Sequence, residues 1–393
     1  MQPAVMATYD RFDLAFEKGE GPYLFATDGR RYLDFGGGVA VTALGHCHPH
    51  LVAALERQGS LLWHCSNLYR IPEQERLAER LTAACFADAA FFCNSGAEAV
   101  ECGIKLVRRY HDLNGTPERY RIISFEGSFH GRTLATIAAG ASPKYRDGFA
   151  PDVDGFDHVP FADLDAVEAA ITPQTAAILV EPIQGEGGIN VAPEGYLRGL
   201  RAIADRHGLL LFFDEIQCGM GRSGRLFAYE WEGVAPDLMA VAKGLGGGFP
   251  IGACVATAAV AAAFSFGSHG STFGGNPLAA AVANAVLDVV NDAEFLARVR
   301  DVATSLQQAL QRLVVAYPGV VAEARGKGLM LGLKCVVPNR ELIDRLLQHG
   351  LLAIPAGDNV VRLVPPLIIG EDHVVEAERI LEQSCAELAV RAA

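Results

Sequence analysis

The chain has 393 residues, half of them hydrophobic, enough for about two or three domains around a large core. Its formal net charge is −13, with lysine and arginine scattered and no basic block, so neither a nucleic-acid surface nor a polybasic membrane anchor is expected and small molecules are the natural ligands. Nine cysteines, odd in number and without a Cys-x-x-Cys pair, fit reduced thiols in a cytoplasmic compartment; residues 1–13 hold no continuous apolar run for a signal peptide, and the longest apolar stretch, 251–264, is too short to span a membrane.

In chain order, Tyr23-Leu24-Phe25 and Tyr32-Leu33-Asp34-Phe35 flank Asp28-Gly29, which predicts a hairpin. Next, Gly45-His46-Cys47-His48-Pro49-His50 gathers three histidines and a cysteine. They bracket a proline turn without i, i+4 spacing or a second ligand cluster, so no metal is expected and the stretch reads as a turn into a helix over 51–58. From Ala89 the pattern alternates strand and helix, the signature of an α/β domain with a mainly parallel sheet. Strands are expected at 90–93, 121–124, 176–180, 209–213 and 238–242, and helices at 97–110, 164–170 and 196–207. Helices over 277–290 and 294–315, a strand over 329–334, and further elements at 340–348, 360–364 and 373–388 predict a smaller α+β unit.

Three strand ends carry chemistry. Lys243 closes the apolar run from Leu238 and opens Gly244-Leu245-Gly246-Gly247-Gly248. At such a place low dielectric disfavours the ammonium, and a neutral amine is a nucleophile for carbonyls, although a strand-end lysine also snorkels into water in many folds. Phe91-Phe92-Cys93-Asn94-Ser95-Gly96-Ala97-Glu98 runs from strand through a small-residue turn into a helix, whose free N–H groups make an anion site; Ser95 with Glu98 also fits a plain N-cap. Asp214 ends a strand too apolar to be exposed and so needs a cation or donors, such as a protonated ring nitrogen, unless it caps the following turn. The Gly219-Met220-Gly221-Arg222-Ser223-Gly224 match to a dinucleotide fingerprint lacks the crossover helix that reading needs. Anion cradle, buried carboxylate and lysine together suit one ligand, a pyridine aldehyde phosphate.

The stretches Gly45-His46-Cys47-His48-Pro49, Asn94-Ser95-Gly96-Ala97-Glu98, Ser128-Phe129-His130-Gly131-Arg132-Thr133, Glu181-Pro182-Ile183-Gln184-Gly185-Glu186, Asp214-Glu215-Ile216-Gln217, Ala242-Lys243-Gly244, Ser271-Thr272-Phe273-Gly274-Gly275-Asn276 and Arg362-Leu363-Val364-Pro365-Pro366-Leu367 resemble, over nearly the whole chain, the class III, ornithine-type aminotransferases. The resemblance implies a fold-type I α/β transferase using pyridoxal 5'-phosphate, with a large cofactor-binding domain of mainly parallel, seven-stranded type over 49–280. A smaller α+β domain would be built from the N-terminal segment 1–48 and from 281–393. It makes Lys243 the Schiff-base lysine and proton shuttle, and Asp214 the partner of the ring nitrogen. Ser95, Gly96 and Ala97 would hold the phosphate, Phe129 and Ile216 the two ring faces, and Gln217 the ring hydroxyl. Glu215 falls in the same cofactor motif, and Thr272 would reach the phosphate of a neighbouring subunit, implying a homodimer with shared sites. Arg132, with Ser271 nearby, and Arg362 would each receive a carboxylate, and Glu186 would hold Arg362 until 2-oxoglutarate or glutamate claims it. The expected donor is acetylornithine, in arginine biosynthesis; succinylornithine and succinyl-diaminopimelate stay open because their enzymes share these motifs. A mutase or decarboxylase on the same fold would also keep Lys243 and Asp214.

Overall fold

A computed structural model describes residues 4–392, so the reading of 1–13 is covered only from Ala4. Its centre is a seven-stranded sheet in the order Ala89–Cys93, Gly252–Ala256, Leu238–Val241, Leu210–Asp214, Thr175–Val180, Arg121–Phe125, Phe156–Val159. Gly252–Ala256 runs antiparallel to both neighbours, and the other six strands are parallel to one another. The apolar runs are continuous because helices cover both faces. Leu211 and Phe213 pack with Leu200 and Ile203 of the helix Tyr196–His207. Their neighbours Leu210 and Phe212 pack with Val100, Ile104 and Val107 of the helix Gly96–Leu113 on the other face.

The expected strands and helices of this sheet are present, displaced by no more than a few residues at their ends. Two strands lie outside the sequence reading. Phe156–Val159 is a half-buried edge strand with too few apolar residues to register, and Gly252–Ala256 hides in an alanine-rich stretch. The helix Pro72–Ala83 is likewise an addition to the expected elements.

A second sheet pairs Val321–Lys327, Met330–Cys335, Val360–Leu363 and Ile354–Ala356, all antiparallel, with the helices Ala293–Ala316 and Glu371–Ala392 packed together beside it. The N-terminal hairpin forms as expected, with Phe16–Glu20 added at its edge, and Arg31–Asp34 takes Leu351–Leu352 as a parallel partner. Residues far apart in sequence therefore share one sheet.

The Gly219 to Gly224 stretch is packed inside the protein. Arg222, 2% exposed, donates from Nη1 to the carbonyls of Leu329 and Pro365, and burial without a carboxylate lowers its pKa to about 9. Arg300 donates to the Gly224 carbonyl. Residues 219–224 are buried against the segments around Leu329, Pro365 and Arg300, and among the described residues no crossover helix follows them. In the histidine turn His46 pairs with Asp34 and His50 with Asp288, each at 2.8 Å, and the helix Pro49–Gly59 follows; among the described residues no group of three or more His, Cys, Asp or Glu is placed to hold a metal ion.

Candidate active site

Parallel strands end on one side of a sheet, which brings residues from five loops together at one edge. A cavity of about 390 Å³ lies there, lined among others by Ser95, Gly96, Ala97, Phe129, Arg132, Glu181, Asp214, Ile216, Gln217 and Lys243.

On one wall Ser95 caps the helix Gly96–Leu113, its Oγ accepting from Glu98 N at 3.3 Å, while Glu98 Oε2 accepts from Asn94 N at 2.6 Å. The N–H groups of Gly96 and Ala97, at the first turn, have no intrahelical acceptor and border the cavity. Two glycines make this close packing possible. A Cβ on Gly96 would lie 2.8 Å from Ile216 Cδ1, and one on Gly131, at φ +135°, would lie 2.7 Å from Ala97 Cβ. A phosphate fits these donors.

Asp214, 3% exposed, receives His130 Nδ1 on Oδ2 at 2.8 Å and Ile216 N on Oδ1 at 3.0 Å. Burial alone would push the His130 pKa down; the hydrogen bond and charge of Asp214, with Glu181 behind, outweigh it and leave it raised. Glu181 accepts from Phe129 N at 2.9 Å and Gly185 N at 3.2 Å, and burial raises its pKa. His130 and Glu181 have no role in the sequence reading. Glu181 carries the same signal as Asp214, a carboxylate directly after a wholly apolar strand; His130 can be assigned only once Asp214 stands beside it.

Lys243 follows Leu238–Val241 and sits at φ +44°, a left-handed conformation uncommon for a residue with a side chain. Burial first, and then the positive charge of Arg362, lower its pKa to about 8, against the pull of Glu186, Asp214 and Glu181. Loss of its proton is therefore expected near pH 8 and not near the ordinary 10.5. Uptake of a carbonyl ligand by the apoprotein should rise with a midpoint there, measured as initial rate against pH. Because folding depresses this pKa, the unfolded chain binds the extra proton between about pH 8 and 10.5, so apoprotein stability should increase with pH across that window.

Arg362, 2% exposed, donates from Nη1 to Glu186 Oε1 at 2.6 Å and to Gln217 Oε1 at 2.7 Å. The charge and hydrogen bond of Arg362 overcome burial and hold the Glu186 carboxyl below its usual range. With its carbonyl oxygen taken, Gln217 keeps its amino group to donate, the polarity a ring hydroxyl needs. Arg132 is exposed at the cavity and has no hydrogen bond or ion pair among the described residues.

Five expected residues lie outside this lining: Glu186 and Arg362, joined to it through Gln217, and Glu215, Ser271 and Thr272. Glu215 is corrected outright. Successive side chains at a strand end point to opposite sides, so with Asp214 facing the cavity Glu215 faces away. There it accepts from the N–H groups of Ala228 and Tyr229 at 2.8 Å each, and burial lifts its pKa to about 7. Ser271 is held by Asn94 Nδ2 at 3.2 Å and by Gly274 N at 3.0 Å, and Thr272 is exposed outside the cavity.

Binding an anion by backbone, holding a proton on a basic ring atom and offering a neutral amine to a carbonyl are the demands of a phosphorylated pyridine aldehyde, and these positions define the class of enzymes that work through one. The chain belongs to the class-III aminotransferases, whose family profile matches residues 4–385. It is 59% identical over 374 residues to the acetylornithine aminotransferase of Mesorhizobium japonicum, covering 95% of this chain and 94% of that one. The N-acetylornithine aminotransferase structure from Stenotrophomonas maltophilia matches with a TM-score of 0.85 at 38% identity, covering 98% of each chain. The ornithine aminotransferase structure from Toxoplasma gondii ME49 matches with a TM-score of 0.95 at 31% identity, covering 99% of this chain and 94% of that one.

Proposed function

We propose that the protein holds pyridoxal 5'-phosphate in this cavity and transfers the terminal amino group of acetylornithine to 2-oxoglutarate, giving the N-acetylated semialdehyde and glutamate in arginine biosynthesis. The observation that carries the reading is a lysine of depressed pKa beside a buried carboxylate and a closed Arg362–Glu186 pair. The cofactor supplies an electron sink for the substrate carbon that loses a proton. Gly96 and Ala97 would hold its phosphate, with Ser95 fixing the turn; Phe129 and Ile216 would contact the ring and Gln217 would donate to its hydroxyl. Asp214, kept in place by His130, holds a proton on the ring nitrogen. Lys243, neutral above about pH 8, would be the residue that holds the cofactor's carbonyl carbon, and its amine, once displaced by the substrate's amine, would be the base that takes the proton from substrate carbon.

Arg132 takes the carboxylate of either substrate. With Glu186 on Arg362 the site offers one guanidinium, the match for the single carboxylate of acetylornithine; a dicarboxylate displaces Glu186 and uses both. The names of the 59% identical and 38% identical relatives support acetylornithine as donor. The test is a donor screen with 2-oxoglutarate. Acetylornithine should give the highest kcat/KM among acetylornithine, succinylornithine, succinyl-diaminopimelate, ornithine and 4-aminobutyrate. A higher value for either succinylated donor would move the assignment to that substrate.

The same reading includes a homodimer in which Thr272 reaches the neighbouring site. Its support is the exposed group Trp63, Leu68, Tyr69 and Phe273, with Asn67 donating to the carbonyls of Ser271 and Gly274 at 3.0 Å each. Sedimentation at micromolar concentration should give twice the chain mass. It also includes the division into a large domain, 49–280, and a small one of 1–48 with 281–393, supported by the pairing of Arg31–Asp34 with Leu351–Leu352. A cytoplasmic setting is supported by nine free cysteines; among the described residues no helix is long and apolar enough to cross a membrane.

A further inference from the structure

The two arginines of the site are held in different ways. Arg362 is fixed by hydrogen bonds to Glu186 and Gln217, so binding a carboxylate through the same N–H groups requires those bonds to break. Arg132 has no such partner among the described residues, yet a guanidinium free to turn would lose side-chain entropy on every binding event. What the structure supplies is a face contact. The Arg132 guanidinium carbon lies 3.9 Å from the centroid of the Tyr145 ring and 5.6 Å from that of Phe129, and the two rings meet edge to face at 5.5 Å. Tyr145 belongs to the short helix Pro143–Arg146, outside the motifs that carry the chemistry.

We propose that Tyr145 is a positioning residue for substrate carboxylates: its ring, stacked under the Arg132 guanidinium, aims that arginine's N–H edge into the cavity. A guanidinium binds an aromatic ring through its flat face and a carboxylate through its edge, so both contacts are made at once and no donor is consumed. This separates orientation from binding in a way a hydrogen-bonded or ion-paired arginine cannot achieve. The Tyr145 hydroxyl makes no hydrogen bond among the described residues, so the ring alone carries the effect. Lys144 lies farther from the same ring, at 5.8 Å, and does not line the cavity. The proposal rests on the reading of Arg132 as the residue that receives the carboxylate in both half-reactions.

The test uses cofactor-saturated Tyr145→Leu, Tyr145→Phe and Arg132→Ala, with wild type as reference. Two probes cannot react: glutarate, a dicarboxylate, and valerate, a monocarboxylate. Their dissociation constants are measured by calorimetry beside kcat and KM for acetylornithine and 2-oxoglutarate. In Tyr145→Leu both dissociation constants and both KM values should rise by roughly 3- to 30-fold while kcat stays within about twofold; Tyr145→Phe should bind within about twofold of wild type. Unchanged dissociation constants in Tyr145→Leu, with clear weakening in Arg132→Ala, would overturn the proposal and leave the carboxylate reading of Arg132 standing. A fall in kcat and cofactor content without a change in probe binding would also overturn it, showing a structural role only. If Arg132→Ala itself binds both probes normally, the reading of Arg132 fails and the proposal with it.

Discussion

Replacing Lys243 with alanine should slow amino transfer by about 10⁴-fold or more while leaving the fold intact, the largest effect expected of any single substitution here. On the proposed function the residue would combine two tasks in one atom. Its amine, with a pKa near 8 because it is buried beside Arg362, is neutral for a useful fraction of molecules at physiological pH, whereas an ordinary lysine at 10.5 would be almost wholly protonated. It is then the one base in the cavity with a side chain long and flexible enough to follow a proton between two atoms of the substrate–cofactor pair. Glu181 and Asp214 are tied down by Phe129, Gly185, His130 and Ile216. The alanine variant should still take up pyridoxal phosphate through the helix start at Gly96, more weakly. Single-turnover absorbance separates the two losses: normal cofactor content with no proton transfer is expected, and ordinary turnover in Lys243→Ala would remove the residue from the chemistry.

The second large effect divides the two half-reactions. Truncating one member of a buried charge pair costs about 2 to 5 kcal/mol, or about 30-fold to several thousand-fold in rate. Arg362→Ala should impose that loss on the half-reaction with glutamate or 2-oxoglutarate and spare the one with acetylornithine, because only the dicarboxylates need a second guanidinium. Glu186→Ala should act in the opposite sense. It removes the carboxylate that competes for Arg362, so glutamate should compete better against acetylornithine as donor. Gln217 Oε1 would still accept from Nη1, the nitrogen it shares with Glu186, at 2.7 Å, and this limits how far the guanidinium wanders once Glu186 is gone. Equal losses in both half-reactions for Arg362→Ala would show that the carboxylates are not shared out in this way.

What can be read from the sequence is what depends on local pattern. Lys243, Asp214 and the Ser95-Gly96-Ala97 turn each stand at the end of an apolar run, and a parallel sheet places such ends together, so those positions are legible in the order of residues alone. The edge strand Phe156–Val159 is not, since its Asp157 pairs with Arg121 and its residues lack an apolar pattern. Glu215 is misjudged by its motif because a motif says which residues are neighbours in sequence and not which way each one faces. His130, Glu181 and Tyr145 matter through partners 84, 52 and 13 positions away, Asp214, Phe129 and Arg132 respectively, and only folding reveals those contacts. The use of Gln217 Oε1 by Arg362, 145 residues distant, is of the same kind.

The most direct test of the whole account is the first half-reaction run alone. Enzyme loaded with pyridoxal phosphate and mixed with acetylornithine in the absence of any 2-oxo acid should release one equivalent of aldehyde per site and stop. Adding 2-oxoglutarate should then yield one equivalent of glutamate and restore the starting absorbance. Release of aldehyde only when both substrates are present, or continuous release without an acceptor, would contradict amino transfer through a cofactor held at Lys243.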